Sequence, residues 1–146
     1  MKNFEELKEK ILTAAKAASA CTEQYKRAYG TNSMVELCNV VKDNFHWCCS
    51  RGVLTGELID EYKSDFSTNG IFHNENCDRA YLLATGNSTV RAYGNSTVKA
   101  NGNSTVRAYD NSYINSYSAI ECKINKNAIL RYNGVVYCCG QQIKTN

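Results

Sequence analysis

Residues 86–109 read GNSTVRAY, GNSTVKAN, GNSTVRAY, nearly the same eight residues written three times. A fixed short period makes each unit solve the same packing problem against its neighbours, so this stretch decides the architecture around it. Counted in eights from Asp78, the third position is Ala80, Ser88, Ser96, Ser104, Ser112, Ile120, Ala128 and Val136. The fifth is Leu82, Val90, Val98, Val106, Ile114, Cys122, Leu130 and Cys138, and the seventh is Ala84, Ala92, Ala100, Ala108, Ser116, Ile124, Tyr132 and Gly140. These columns alternate along each unit and are mainly small or apolar, which predicts the inward face of a strand. The fourth, sixth and eighth columns hold Thr, Arg or Lys, and Tyr or Asn, and must point outward. Gly opens four octads and Asn stands second in five, a pair that supplies the positive φ angles of a tight corner.

One octad therefore gives one strand and one corner of a β-solenoid. Two octads make a two-sided coil of sixteen residues, and three would make a triangular coil of twenty-four. An interior of Ser, Val and Ala is thin. Two facing sheets can close over it, whereas a triangular core would leave a void, so the two-sided coil is the predicted form. Residues 78–141 then make four coils, stacked about 4.8 Å apart. The last octad degenerates into VVYCCGQQIK with no obvious cap, which suggests that two chains meet end to end there through Val135, Tyr137 and Cys139.

Upstream, residues 1–70 read as helices. Phe4, Leu7, Ile11 and Leu12 trace an apolar stripe between Glu5, Glu6, Lys8 and Lys10, and Ala14 to Ala20 continues with little bulk, suited to close packing on a neighbour. A short helix carries Gln24, Tyr25 and Ala28 and stops near Gly30. Ser33 and Glu36 form a capping box ahead of the stripe Met34, Leu37, Cys38, Val41, Phe45 and Cys48 or Cys49, which Gly52 ends. Thr55 caps a last helix with Leu58, Ile59, Tyr62 and Phe66 inward, closed by Asn69-Gly70. The fold class is thus α+β: a bundle of about four short helices (1–70) capping a two-sided β-solenoid (78–141), with a connector (71–77) and a tail (142–146). In that arrangement the head covers the first coil's unpaired edge and fixes the register of near-identical octads.

Composition sets the outer limits. The 146 residues are 43% hydrophobic with a formal charge of +3, which fits a folded chain and does not demand a nucleic-acid or membrane partner. No run approaches the roughly 18 apolar residues of a membrane span. The N-terminus is too acidic and amphipathic for a secretory signal, so a cytoplasmic location is expected, with the eight cysteines reduced. On that expectation the Asn-Ser-Thr sequons at Asn87, Asn95 and Asn103 are turn residues and not glycan sites.

The string GNSTVRAYGNSTV (86–98) is similar to the sixteen-residue repeats of bacterial ice-nucleation proteins, a resemblance that covers only the repeat and implies a fold. The octads together with CTEQYKRAY (21–29), VVKDNFHWCC (40–49) and LTGELIDEYK (54–63) resemble small proteins of gut-bacterial prophages, in which a helical head precedes GNSTV-type octads. That resemblance implies an accessory role in phage–host interaction, in the host cytoplasm, including inhibition of a host defence protein of the anti-CRISPR kind.

In a two-sided coil Arg91, Arg107 and Lys123 form a basic column flanked by Tyr93 and Tyr109, while Lys99, Arg131, Tyr113 and Tyr117 mark the opposite face. Cations interleaved with aromatics suit a protein partner, and also the backbone and bases of a nucleic acid. The bland reading is that such side chains simply solvate sheet faces. Thr89, Thr97 and Thr105 are split over two faces, too few for an ice-binding array. His46-Trp47-Cys48-Cys49 lacks the C-x-x-C spacing of a zinc site, and Cys38, His46, Cys77 and Cys138-Cys139 could meet only through the fold. Two histidines, His46 and His73, offer few pairings with a thiol nucleophile, and Asp60, Glu61 and Asp65 sit on a solvated face. The sequence thus points to a non-enzymatic protein-binding module without metal or cofactor. A self-assembling structural protein and a nucleic-acid binder are the alternatives.

Overall fold

The stripes of apolar residues at helical spacing fold into six helices in the computed structural model, which describes residues 4–116, 120–125, 127–133, 135–137 and, for the backbone, 142–144. The chain divides into a helical unit, Met1–Asn69, and a β unit, Gly70–Asn146. In the first, α1 (Phe4–Ala17) buries Leu7, Ile11 and Ala15, and α2 (Thr22–Tyr29) follows. The remaining helices are α3 (Met34–Asp43), α4 (Phe45–Ser50), α5 (Gly56–Glu61) and α6 (Lys63–Thr68).

The two longer predicted helices each break once. Asn44 stands between α3 and α4 at φ −119°, and its side-chain amide donates to the Val40 carbonyl at 2.9 Å and to Gln24 Oε1 at 3.0 Å. An Asn that hydrogen-bonds nearby backbone competes with the helical ladder, so the axis turns there while Leu37, Cys38, Val41, Phe45 and Cys48 stay buried. Tyr62 makes the second break, buried, with its hydroxyl donating to Glu6 Oε1 at 2.7 Å. Both anticipated caps form. Ser33 Oγ accepts from the Glu36 N–H and Thr55 Oγ1 from the Leu58 N–H. The box at Ser33 differs in one respect: Glu36 reaches back to the Asn32 N–H, one residue earlier than the reciprocal bond predicts.

The β unit is a two-sided solenoid. Its strands are β1 (Ile71–His73), β2 (Cys77–Asp78), β3 (Tyr81–Ala84), β4 (Thr89–Tyr93), β5 (Thr97–Ala100), β6 (Thr105–Ala108), β7 (Tyr113–Ser116), β8 (Glu121–Ile124), β9 (Ile129–Tyr132), β10 (Val135–Tyr137) and β11 (Gln142–Lys144). Odd strands β1 to β9 lie parallel in one sheet and even strands β2 to β8 in the other. From β3 onward the register advances by sixteen: Leu82, Val98, Ile114 and Leu130 stack on one side, and Val90, Val106 and Cys122 on the other. All seven are buried in one core with Ala84, Ala92, Ala100 and Ala108. The inward columns therefore face a shared narrow interior.

Serine in the third column has a purpose that alanine would not serve. Ser96 Oγ donates to the Tyr93 carbonyl at 2.7 Å, and Ser104 Oγ to the Asn101 carbonyl, closing each corner across three residues. Glycine alone supplies the left-handed corner angle, with φ of +64° at Gly86, +66° at Gly94 and +65° at Gly102; the asparagine after it does not. Asp110 takes the same conformation in the next octad and accepts the Gly94 N–H at 3.1 Å.

Two departures occur at the ends. The segment 71–77, read as a connector, already contains the first rung, since β1 pairs in parallel with β3. At the far end the ladder stops after β9. β10 turns back to pair antiparallel with β9, and β11 pairs antiparallel with β8, so the last regular edge of each sheet is covered. This corrects both the expected fourth coil and the absence of a cap. It also places Val136, predicted inward, 58% exposed, because the reversed strand no longer follows the octad register.

Candidate functional site

The sixth and eighth octad positions determine what the second sheet shows to solvent. Along β4 the alternation is complete, with Thr89 and Arg91 exposed while Val90 and Ala92 are buried. Parallel pairing then aligns Arg91 with Arg107 and Arg107 with Lys123. All three are exposed, and none forms an ion pair among the described residues. Beside them the Tyr93 and Tyr109 rings stack with centroids 4.8 Å apart and planes 8° from parallel. Asn76 fixes the upper end of this face by accepting the Arg91 N–H at 2.8 Å. Glu121, in register with Thr105, is the acidic neighbour on the Lys123 strand.

The opposite face, where Lys99 and Arg131 were expected outward, does not present both to solvent. Lys99 is 1% exposed, and the residues in register with it, Leu83 and Asn115, are buried as well. That strip of the sheet is not presented to solvent. An apolar residue in an outward column, Leu83, was the signal that marked it. Of the other residues assigned to this face, Arg131 is exposed and Tyr113 half-buried, while Tyr117 lies outside the described residues. At the end of the solenoid Val135 is 53% exposed and Tyr137 half-buried; Cys139 lies outside the described residues.

The thiols are divided by burial. Cys38, Cys48, Cys77 and Cys122 are buried and free, Cys49 is half-buried, and Cys21 is exposed. Desolvation pushes the Cys38 thiol up to about 11 and those of Cys48 and Cys122 up to about 12, from an ordinary value of 9.0. Because the folded values lie above the unfolded one, this contribution to stability is complete below pH 9.0 and is lost as pH rises toward about 12. Titration with a thiol reagent at pH 8 should label the exposed Cys21 before Cys38, Cys48 and Cys122, which react only on unfolding. His73 Nε2 lies 2.8 Å from Thr85 Oγ1, and His46 packs edge-on to Phe45. Among the described residues no group of three or more His, Cys, Asp or Glu side chains stands together to hold an ion, and no helix is long and apolar enough to cross a membrane.

Compared with known proteins, the chain matches no family model, no curated protein and no solved structure. Its functional reading therefore stands on the exposed face itself.

Proposed function

We propose that this chain is a non-enzymatic protein-binding module whose working surface is the outer face of β4, β6 and β8. Its resemblance to prophage proteins makes the target a host protein in the host cytoplasm, and inhibition of a host defence protein the form of action. The observation that carries the reading is the column Arg91–Arg107–Lys123, three like charges on consecutive rungs with no ion pair among the described residues. Like charges opposite one another on adjacent strands are destabilising, and an acidic surface on a partner relieves that repulsion. The stacked Tyr93–Tyr109 pair adds flat, amphipathic contact area of the kind that anchors protein interfaces.

The test is affinity capture from a bacterial lysate with wild type and an Arg91→Ala/Arg107→Ala pair. One stoichiometric protein that is retained at physiological salt and lost with the double variant is the expected result. Capture of nucleic acid that falls steeply with salt would support the nucleic-acid reading instead. The exposed Val135 and Val136 on the reversed strand favour self-association as a second reading. Light scattering on the same sample tests it, a monomer at micromolar concentration being the outcome against it.

A further inference from the structure

We propose that the helical unit holds a small-molecule site: the cavity among α1–α4 takes a neutral, two-ring aromatic ligand bearing a carboxamide or an equivalent donor–acceptor pair. This inference is independent of the solenoid face. The Ala-rich end of α1 was expected to pack closely on its neighbour. Instead its small side chains border a cavity of about 310 Å³, walled by Ala15, Ala28, Leu37, Val41 and Trp47. A cavity of about 150 Å³ with an aliphatic lining admits a single benzene ring, so one of about 310 Å³ has room for two fused rings. It is also of the size and apolar character typical of ligand pockets.

The polar part of the wall sets the ligand's chemistry. Gln24 and Asn44 both line the cavity, and Asn44 Nδ2 donates to Gln24 Oε1 at 3.0 Å and to the Val40 carbonyl at 2.9 Å. Those bonds leave Gln24 Nε2 as a donor and Asn44 Oδ1 as an acceptor with no partner among the described residues. A ligand carboxamide offers a carbonyl acceptor for Gln24 Nε2 and an N–H donor for Asn44 Oδ1, and so complements this pair. No charged side chain is among the lining residues, which selects a neutral molecule, because burying an unpaired charge there would be costly.

Trp47 is the only tryptophan in the chain, and it lines the cavity, so its fluorescence reports occupancy. The probe is naphthalene-2-carboxamide, with naphthalene as the control lacking the polar pair. Saturable quenching of Trp47 is expected, with the carboxamide binding about tenfold tighter than naphthalene, as two made hydrogen bonds warrant. Gln24→Met should shrink that gap to about threefold or less, because Asn44 keeps its bond to Val40. Filling the cavity by Ala15→Leu, or by Ala20→Leu should the first variant fold poorly, should abolish quenching while leaving Tm equal or higher. No change in Trp47 emission or in Tm with millimolar carboxamide would overturn the proposal. So would quenching that persists undiminished in a folded filling variant.

Discussion

Val98→Asp is expected to abolish the solenoid. Val98 is fully buried and lies in register between Leu82 and Ile114, facing an interior built of Val, Ala, Leu and Ser. A carboxylate there has no cation to pair with in the shared core, and the Ser96 and Ser104 hydroxyls that line the interior are already engaged at their corners. Leaving an ionised group unpaired in such a site costs more than about 5 kcal/mol, the low end of a whole domain's stability. Far-UV circular dichroism and hydrogen exchange across β4–β8 are the readouts, with loss of protection expected throughout. Val98→Ala is the graded control: it removes methyl groups without adding charge and should cost about 1–3 kcal/mol while unfolding remains cooperative. An aspartate variant that kept full protection would show that the fifth octad column does not face inward.

The second large effect concerns the corners, where two chemically identical substitutions should differ. Gly86→Ala and Gly102→Ala both place a side chain in the left-handed region, at φ +64° and +65°, which costs about 1–2 kcal/mol. At Gly86 an added Cβ meets nothing within 4 Å, so that conformational cost is the whole effect. At Gly102 it would stand 3.0 Å from both the backbone N and the O of Gly86, on the rung above. Backbone in a stacked ladder cannot swing aside as a side chain can. The overlap should add about 1–3 kcal/mol by forcing two coils apart. Urea denaturation of the two variants measures the difference directly. Equal losses would mean that successive corners are not in contact.

Much of this fold was legible in the octads, for a physical reason. A column such as Val90, Val98 and Val106 repeats one environment in every rung, so a residue type that fits once fits throughout, and the sequence advertises the choice. The helical stripes were legible too, because buried Leu7, Ile11, Leu37, Val41, Ile59 and Phe66 keep their spacing through the breaks. The breaks themselves involve polar contacts, among them Asn44 to Gln24 and Tyr62 to Glu6, that join residues distant in sequence. The reversal after β9 did carry a local signal. Asn133-Gly134 separates Tyr132 from Val135, Asn133 sits at φ +47°, and Asn-Gly between alternating apolar residues is the strongest short hairpin signature. In the octad register Gly134 falls at the same corner position as Gly86, Gly94 and Gly102, which masks that signature. On the candidate face the Arg91 column followed from the period alone. The burial of Lys99 did not, since its octad position is the same as that of the exposed Arg91 and Arg107.

The alternation of odd and even strands between two sheets has a bearing on how such a chain can change its length. Copying one octad within the regular turns would hand every later strand to the other sheet, carrying Arg107 and Lys123 away from Arg91. Copying two restores each residue to its own side and lengthens the basic row by one member. Growth by duplication is therefore a matter of parity, with sixteen residues the smallest neutral step, and the reversed strands β10 and β11 confine it to the middle of the stack.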